Sequence, residues 1–425
     1  MKGYKMNRAT IVQRGARASL LCGLSVAGMS GHAAWVIQPA AQVESAYEDN
    51  IRLDENDQSG FRTTTSAQAR LSRVTENTNV SLIGSFSYIM YTDVDDVAGE
   101  DDLENRDQQT LNLVAEHRAE RLVMGARGEY RRDILLRRTE FIPDGFGQAR
   151  DEADMISLGD PLNAAEIDTP DIDTNTSREQ VRREFLRANP YFRYDLTENM
   201  QTEFGYQYYG LRYGSGADEA RLQDSDTNAI YGGLRYRASE VNAFSFRLRA
   251  SNFEPDEGLD TDNYEATVGW DRQMSERFNV GFEVGGSRVE SDQQNNNGWL
   301  FNANASYITE SSRFYGYIGR QLLPSAYGNI AEADTARLNY SRDLSERWSL
   351  GLNARFYSTD NSSDNDNGVE RKLATITPSI DWEMTESFTL GLGYTYDWID
   401  RNDEPDSYTG NSVSVTFRYT PPSQL

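Results

Sequence analysis

The sequence predicts an all-β fold, a transmembrane antiparallel up-and-down β-barrel of about 18 strands, and three observations carry that reading. A short polar unit, a small or hydroxylated residue followed by Glu, recurs along the chain and places glutamates at 76, 120, 198, 240, 276, 310, 346 and 386. The segments between these units alternate apolar and polar residues with period two, the mark of strands whose two faces meet different surroundings. Mean hydropathy is -0.70, too polar for membrane-spanning helices, yet there are 24 Tyr, 17 Phe, 6 Trp and 33 Gly. That balance fits strands with one face on lipid and one on water. A soluble β-sandwich or solenoid would also alternate, but seldom over so many long runs.

Each glutamate unit reads as a turn between antiparallel strands, as at Thr75-Glu76, Ala119-Glu120, Ser239-Glu240 and Ser345-Glu346. Successive gaps are 44, 78, 42, 36, 34, 36 and 40 residues. Each holds a strand out, a connection and a strand back at roughly 9 to 14 residues per strand. With two more strands before Glu76 and two after Glu386 the count is 18, even, as a bacterial barrel requires.

Strand one, about Trp35 to Asn50, separates Ile37, Pro39, Ala41, Val43 and Tyr47 from Gln38, Gln42, Glu44 and Glu48. The split recurs at Phe204, Tyr206 and Tyr208, at Phe244, Phe246 and Leu248, at Leu350, Leu352 and Phe356, and at Val413, Val415 and Phe417. In strand thirteen, Arg313 to Leu322, the register stays open. Aromatics such as Trp270, Trp348, Trp382, Phe388, Trp398 and Tyr419 gather at strand ends, where amphipathic rings sit at membrane interfaces. The long connections, 51–59, 92–107, 135–177, 214–225, 254–262, 290–297, 323–332, 358–370 and 400–407, alternate with the glutamate turns. They are expected outside the cell, with both chain ends in the periplasm.

Residues 1–33 read as a signal peptide, and residues 34–425 as the barrel. Lys2, Lys5, Arg8, Arg14 and Arg17 precede an apolar run from Ala18 to Met29, and Gly31-His32-Ala33 is a cleavage site of small residues. Such a leader addresses the chain out of the cytoplasm, and with a barrel to the outer membrane of a Gram-negative bacterium. The single Cys22 lies within it, so no disulfide is expected. Removing those five cations takes the net charge from -25 to -30, which excludes non-specific nucleic-acid binding. Outer-membrane lipid, lipopolysaccharide and the barrel-assembly machinery are the expected partners.

Pro39, Tyr47, Asp49, Asn50 and Leu53 form a pattern, an early Pro in the first strand and then Tyr-x-Asp-Asn-x-x-Leu leading into the first connection. It resembles the outer-membrane barrel porins associated with exopolysaccharide biosynthesis and export. The resemblance implies a conduit for a polymer made in the cytoplasm, working beside periplasmic co-polymerase and export proteins. One departure is that the chain ends in Thr420-Pro421-Pro422-Ser423-Gln424-Leu425 and not in an aromatic residue.

The candidate pore-lining residues are nine arginines on the inward parity of strands five, six, eight and nine: Arg127, Arg131, Arg183, Arg187, Arg193, Arg235, Arg237, Arg247 and Arg249. Guanidinium keeps its charge and offers a planar fork to carboxylate, sulfate or phosphate, so the ladder suits an anionic polymer or small acidic solutes. The alternative is structural, with the arginines paired to acids such as Glu129, Glu203 and Glu265. The acidic connection 135–177, from Glu140 to Asp173, either folds inward to narrow the pore or stays a surface loop. Two further acidic loops, Asp93 to Glu104 and Asp360 to Gly368, look like metal sites, but neither completes a calcium loop, Ala374 standing where the closing Glu would be. No metal, cofactor or catalysis is expected, since His117, alone in the mature chain, falls on the lipid parity. A surface adhesin or scaffold with a blocked bore is the third reading.

Overall fold

The computed structural model describes residues 35–95, 103, 105–135, 181–214, 222–256, 260–291, 295–324, 330–360, 370–402 and 406–421. They form eighteen strands: β1 (Val36–Glu48), β2 (Gly60–Val74), β3 (Thr78–Thr92), β4 (Arg106–Arg118), β5 (Leu122–Leu135), β6 (Val181–Thr197), β7 (Met200–Tyr213), β8 (Ser225–Ser239), β9 (Asn242–Pro255), β10 (Thr261–Ser275), β11 (Phe278–Ser291), β12 (Asn295–Ile308), β13 (Ser312–Pro324), β14 (Ile330–Asp343), β15 (Trp348–Asp360), β16 (Arg371–Thr385), β17 (Phe388–Arg401) and β18 (Tyr408–Tyr419). Every strand pairs antiparallel with its sequence neighbours, and β1 also pairs with β18, closing an up-and-down barrel. Closure removes the open edges that would otherwise expose unpaired backbone. The leader 1–33 and nearly all of 135–177 lie outside the described residues, as do residues 96–102 and 361–369 of the two acidic loops.

All eight glutamate units are turns, joining each even strand to the next odd one. The residue before Glu recurs as Ser or Thr because its hydroxyl accepts turn backbone N–H groups. Thr75 Oγ1 takes Thr78 N at 3.0 Å, Thr309 Oγ1 takes Ser312 N at 2.9 Å and Ser239 Oγ takes Asn242 N at 3.1 Å. Ala119 has no hydroxyl, and its turn closes through the backbone alone, Ala119 N to Leu122 O at 2.7 Å.

Parity sets the two faces. Ile37, Phe204 and Ile230 point outward at 68, 60 and 64% exposure, while Glu203, beside Phe204, and Ala229 and Tyr231, beside Ile230, are buried inside. Strand thirteen resolves into an outward set, Phe314, Ile318, Arg320 and Leu322, and an inward set, Arg313, Tyr315, Tyr317 and Gln321, fixed by the pairings Tyr317↔Arg337 and Arg320↔Asp334. Outward aromatics stack near the turn end, Trp348 on Trp382 at 5.8 Å and Phe388 on Phe417 at 5.4 Å.

Prolines mark gaps in the ladder, as a residue without an N–H must. Pro190 pairs with Ala126 and Pro378 with Leu352, but on their other sides the registers jump from Ala188↔Tyr208 to Tyr191↔Gly205 and from Ile376↔Tyr396 to Ser379↔Gly393. Pro39 lies where β1 has only one partner. The β1–β18 ladder runs from Ala41↔Tyr419 to Glu48↔Ser412, whereas β1 pairs with β2 from Val36 onward.

Candidate functional site in the barrel lumen

All nine sequence-picked arginines fall on the inward parity of their strands. The registers Arg131↔Phe185, Arg187↔Tyr209 and Arg235↔Ser245 align them with other lumenal side chains. Several are held by acids. Arg183 makes a two-pronged pair with Asp133, Nε to Oδ1 at 2.9 Å and Nη2 to Oδ2 at 2.5 Å, both residues being buried. Arg131 reaches Glu129 at 2.6 Å, Arg193 reaches Glu116 at 2.8 Å and Glu203 at 3.8 Å, and Arg249 lies 3.6 Å from Glu265.

Others lie on aromatic faces. Arg127 and Arg193 sit over the ring of Tyr191 at 5.4 and 4.9 Å, and Arg187 over Tyr209 at 5.4 Å. Tyr191 can lie flat against the wall because its cross-strand neighbour is Gly125, where a Cβ would fall inside the ring; Tyr231 covers Gly205 in the same way. The tyrosine hydroxyls are tied down as well, Tyr191 donating to Glu116 at 3.0 Å and Tyr231 to Asn189 at 3.3 Å. Arg235 and Arg247 stand opposite small or neutral residues, Ser245 and Gly233. Arg237 is exposed at the turn rim.

A second arginine wall went unseen in the sequence. Arg337 of β14 pairs directly with Arg355 of β15, and Arg371 of β16 with Arg401 of β17, all on the inward parity. Like charges directly opposite each other are unfavourable in a sheet. The signal available was parity alone: both arginines of the first pair alternate with apolar residues, Leu338 and Ala336 on one strand, Ala354 and Phe356 on the other. Around the ring the β5–β9 wall and the β14–β17 wall are separated by β10–β13 on one side and by β18 with β1–β4 on the other, so they face each other across the lumen.

The motif residues do a different job. Asp49, just past β1, accepts from the backbone N–H of Asn411 at 2.5 Å and from its Nδ2 at 2.6 Å, across the closing seam. Asn50 folds the first connection, donating to Asp54 O and Asp57 Oδ1 and accepting from Asp54 N, at 2.9, 2.9 and 3.1 Å. Leu53, fully buried, takes a left-handed backbone at φ 49, a conformation a branched residue adopts only when its surroundings hold it there. Tyr47 faces outward and meets Phe61 edge-on at 5.3 Å.

The connection these residues fold packs inward. Ile51 is buried against Ile89 and Tyr91, which are lumenal residues of β3, with Val94 and Leu103 alongside. Gln58 donates to Asp95 O at 3.0 Å, and Ser59 Oγ to Asp95 Oδ2 at 2.5 Å, which joins the first connection to the second. Arg106 adjoins the cluster through Tyr91, stacked on its ring at 5.3 Å and donating to its hydroxyl at 2.6 Å. His117 is on the outward face, its Nδ1 2.8 Å from Thr78 Oγ1.

No family model matches the chain, and no curated protein matches it significantly. Solved structures do. OccAB4 of Acinetobacter baumannii is 9% identical with a TM-score of 0.44, over 91% of this chain and 98% of that one. OccK7 (OpdD) of Pseudomonas aeruginosa is 10% identical with a TM-score of 0.46, over 91% and 98%. A BenF-like porin from Pseudomonas fluorescens Pf-5 is 8% identical with a TM-score of 0.46, over 91% and 99%. At these identities and scores the likenesses carry nothing about substrate.

Proposed function

We propose that the chain is an outer-membrane channel that passes small anionic solutes by diffusion. The carrying observation is the pair of arginine walls facing each other inside a closed barrel, with Arg337 opposite Arg355 on one and Arg235 and Arg247 on the other. An eighteen-stranded barrel is too wide for its own side chains to fill, and charged rings in a wet bore select ions by sign. The apolar outward parity supports placement in a membrane, and the β1–β18 pairing leaves the wall without an open edge.

In a wide bore each charge is screened over about 8 to 10 Å, so single substitutions do little. Changing Arg187, Arg235, Arg247, Arg337 and Arg355 together to Gln is expected to move the reversal potential in planar bilayers away from anions while conductance persists. Unchanged selectivity would sink the assignment. Arg183→Gln serves as the contrast, because its pairing with Asp133 predicts a loss of stability with little change in selectivity.

The second reading is export of an anionic exopolysaccharide, and the motif favours it. Asp49, Asn50 and Leu53, however, seat a connection that folds over the lumen, an arrangement better suited to a small solute than to a polymer. Loss of surface polysaccharide in a deletion strain, restored by the chain and not by a variant lacking residues 51–58, would favour export. For orientation, the reading places the long connections outside and the turns and both chain ends in the periplasm. A cysteine at Ser407 should then react with an impermeant thiol reagent on intact cells, and one at Asn77 or Ser387 should not; the reverse pattern would invert the barrel.

A further inference from the structure

Between the two arginine walls the bore changes sign. The inward positions of β10 and β11 hold Glu265, Asp271 and Glu283 and no lysine or arginine, and this acidic stretch borders the arginines of β9 directly. The registers Arg249↔Glu265 and Arg247↔Thr267 fix the border, and Glu265↔Ser287 carries it one strand further. Asn263, Glu265 and Ser287 lie near the long-connection ends of their strands.

These three residues form one patch with Arg249. Asn263 Nδ2 donates to Glu265 Oε1 at 2.6 Å, and Arg249 Nη1 lies 3.6 Å from the same oxygen, too far for a hydrogen bond. Arg249 Nη2 donates to Gln207 at 3.2 Å, so its fork is held from the far side. Asn263 and Ser287 are buried, at 3 and 6% exposure, yet Asn263 Oδ1 and Ser287 Oγ have no hydrogen-bond partner among the described residues. Ser287 stands between Glu265 and Gly298, its Oγ 2.8 Å from where a Cβ on that glycine would fall, so the hydroxyl has room to turn toward either strand. The Arg249 and Glu265 side chains stay 24 and 14% exposed, on the inward parity.

Polar atoms buried in a folded chain nearly always have a partner, so two orphaned oxygens flanking a carboxylate mark a place for a donor from outside. An ammonium group brings three N–H donors and no acceptor. We propose that this patch is a recognition subsite for amine-bearing dicarboxylates, solutes of the acidic amino-acid type. Their ammonium goes to Glu265, Asn263 Oδ1 and Ser287 Oγ, and their two carboxylates go to Arg249 and Arg247. The subsite names a substrate class for the channel reading and rests on that reading.

Charge balance selects this class over its neighbours. Arg247, Arg249 and Glu265 sum to one positive charge, the complement of a solute with two carboxylates and one ammonium. A plain dicarboxylate meets Glu265 as a like charge and brings no donor for the Asn263 and Ser287 oxygens, while a plain amine meets two guanidiniums. Arg247 and Arg249 are alternate residues on one strand face, roughly 7 Å apart along it, a span that the two ends of a short diacid bridge. At the Arg249–Glu265 contact the solute's own ammonium and carboxylate replace one loose approach with two charge-assisted hydrogen bonds.

Calorimetry on the purified full chain in detergent compares L-glutamate with glutarate, the same carbon skeleton without the amine. Wild type is expected to bind glutamate at least about tenfold more tightly. Glu265→Gln should cut that preference to under about threefold while glutarate binds as well as before or better, since the variant removes a like charge. A merely structural role for Glu265 would weaken both solutes alike. Ser287→Ala should lower glutamate affinity about threefold, and Ser306→Ala, which removes a buried lumenal hydroxyl toward the turn end, should not. Equal binding of the two solutes by wild type, or no binding of glutamate, would overturn the proposal whether or not any variant folds poorly. Planar-bilayer recordings separate this from the channel reading: anion selectivity without glutamate preference removes only the subsite, and glutamate preference without conductance removes only the channel.

Discussion

Asp49→Ala is expected to destabilise the barrel by about 3 kcal/mol, because it deletes two charge-assisted hydrogen bonds of about 1.5 kcal/mol or more each. Both go to Asn411, which also accepts from the Tyr394 hydroxyl at 2.6 Å, so one side chain links β17, β18 and the end of β1. The seam it guards has eight register pairs, Ala41 to Glu48, against thirteen between β1 and β2. A shorter ladder leaves more of the joint's strength to its clip. Urea unfolding in detergent micelles reads the effect, with Ser407→Ala at the same rim as the control. A loss no larger than the control's would mean the ladder alone carries the seam.

Leu352→Arg should cost about 2 to 4 kcal/mol, the range for a cation facing the bilayer midplane of a barrel. Leu352 pairs with Tyr340 and Pro378 on the outward face, near the middle of β15. Its neighbour Asn353 pairs with Asn339 and Thr377 on the lumenal face, and Asn353→Arg should be mild. Folding titrations into lipid vesicles compare the two directly. Equal costs would contradict the two-faced wall.

Period-two patterning made the strand number, the turns and the facing of the nine arginines legible, because a one-residue slip would expose Phe204 or Leu248 inside and bury Arg247 outside. It failed where both parities look alike. Strand thirteen carries Phe314 and Ile318 on one face and Tyr315 and Tyr317 on the other, and only pairing with β14 separates them. Parity says nothing about the first connection, where Asn50, Arg52, Asp54 and Gln58 are polar, yet all four are buried. Hydrogen bonds hold them, as with Arg52 Nε to Gln58 Oε1 at 3.0 Å and Asn50 Nδ2 to Asp54 O at 2.9 Å, and local sequence does not announce such pairings. The Arg337–Arg355 pair depended on register across two strands, which no single strand encodes.

Because the sheet order follows the sequence, seventeen of the eighteen strand pairings join consecutive strands, and one joins the two ends of the chain. Hairpins closed by hydroxyl-bearing turns form from local encounters and carry low contact order. The last pairing brings together residues as far apart as Asp49 and Asn411, 362 positions distant. On polymer-loop scaling, closing that span from a flexible chain would cost about 2 kcal/mol more than closing a 40-residue hairpin. Once seventeen hairpin seams have formed, the ends approach as the rims of a curled sheet and not as a free coil, so most of that entropy is lost beforehand in small steps. Zipping of β1 onto β18 is therefore placed late in folding, and substitutions at Asp49 should speed unfolding more than they slow folding.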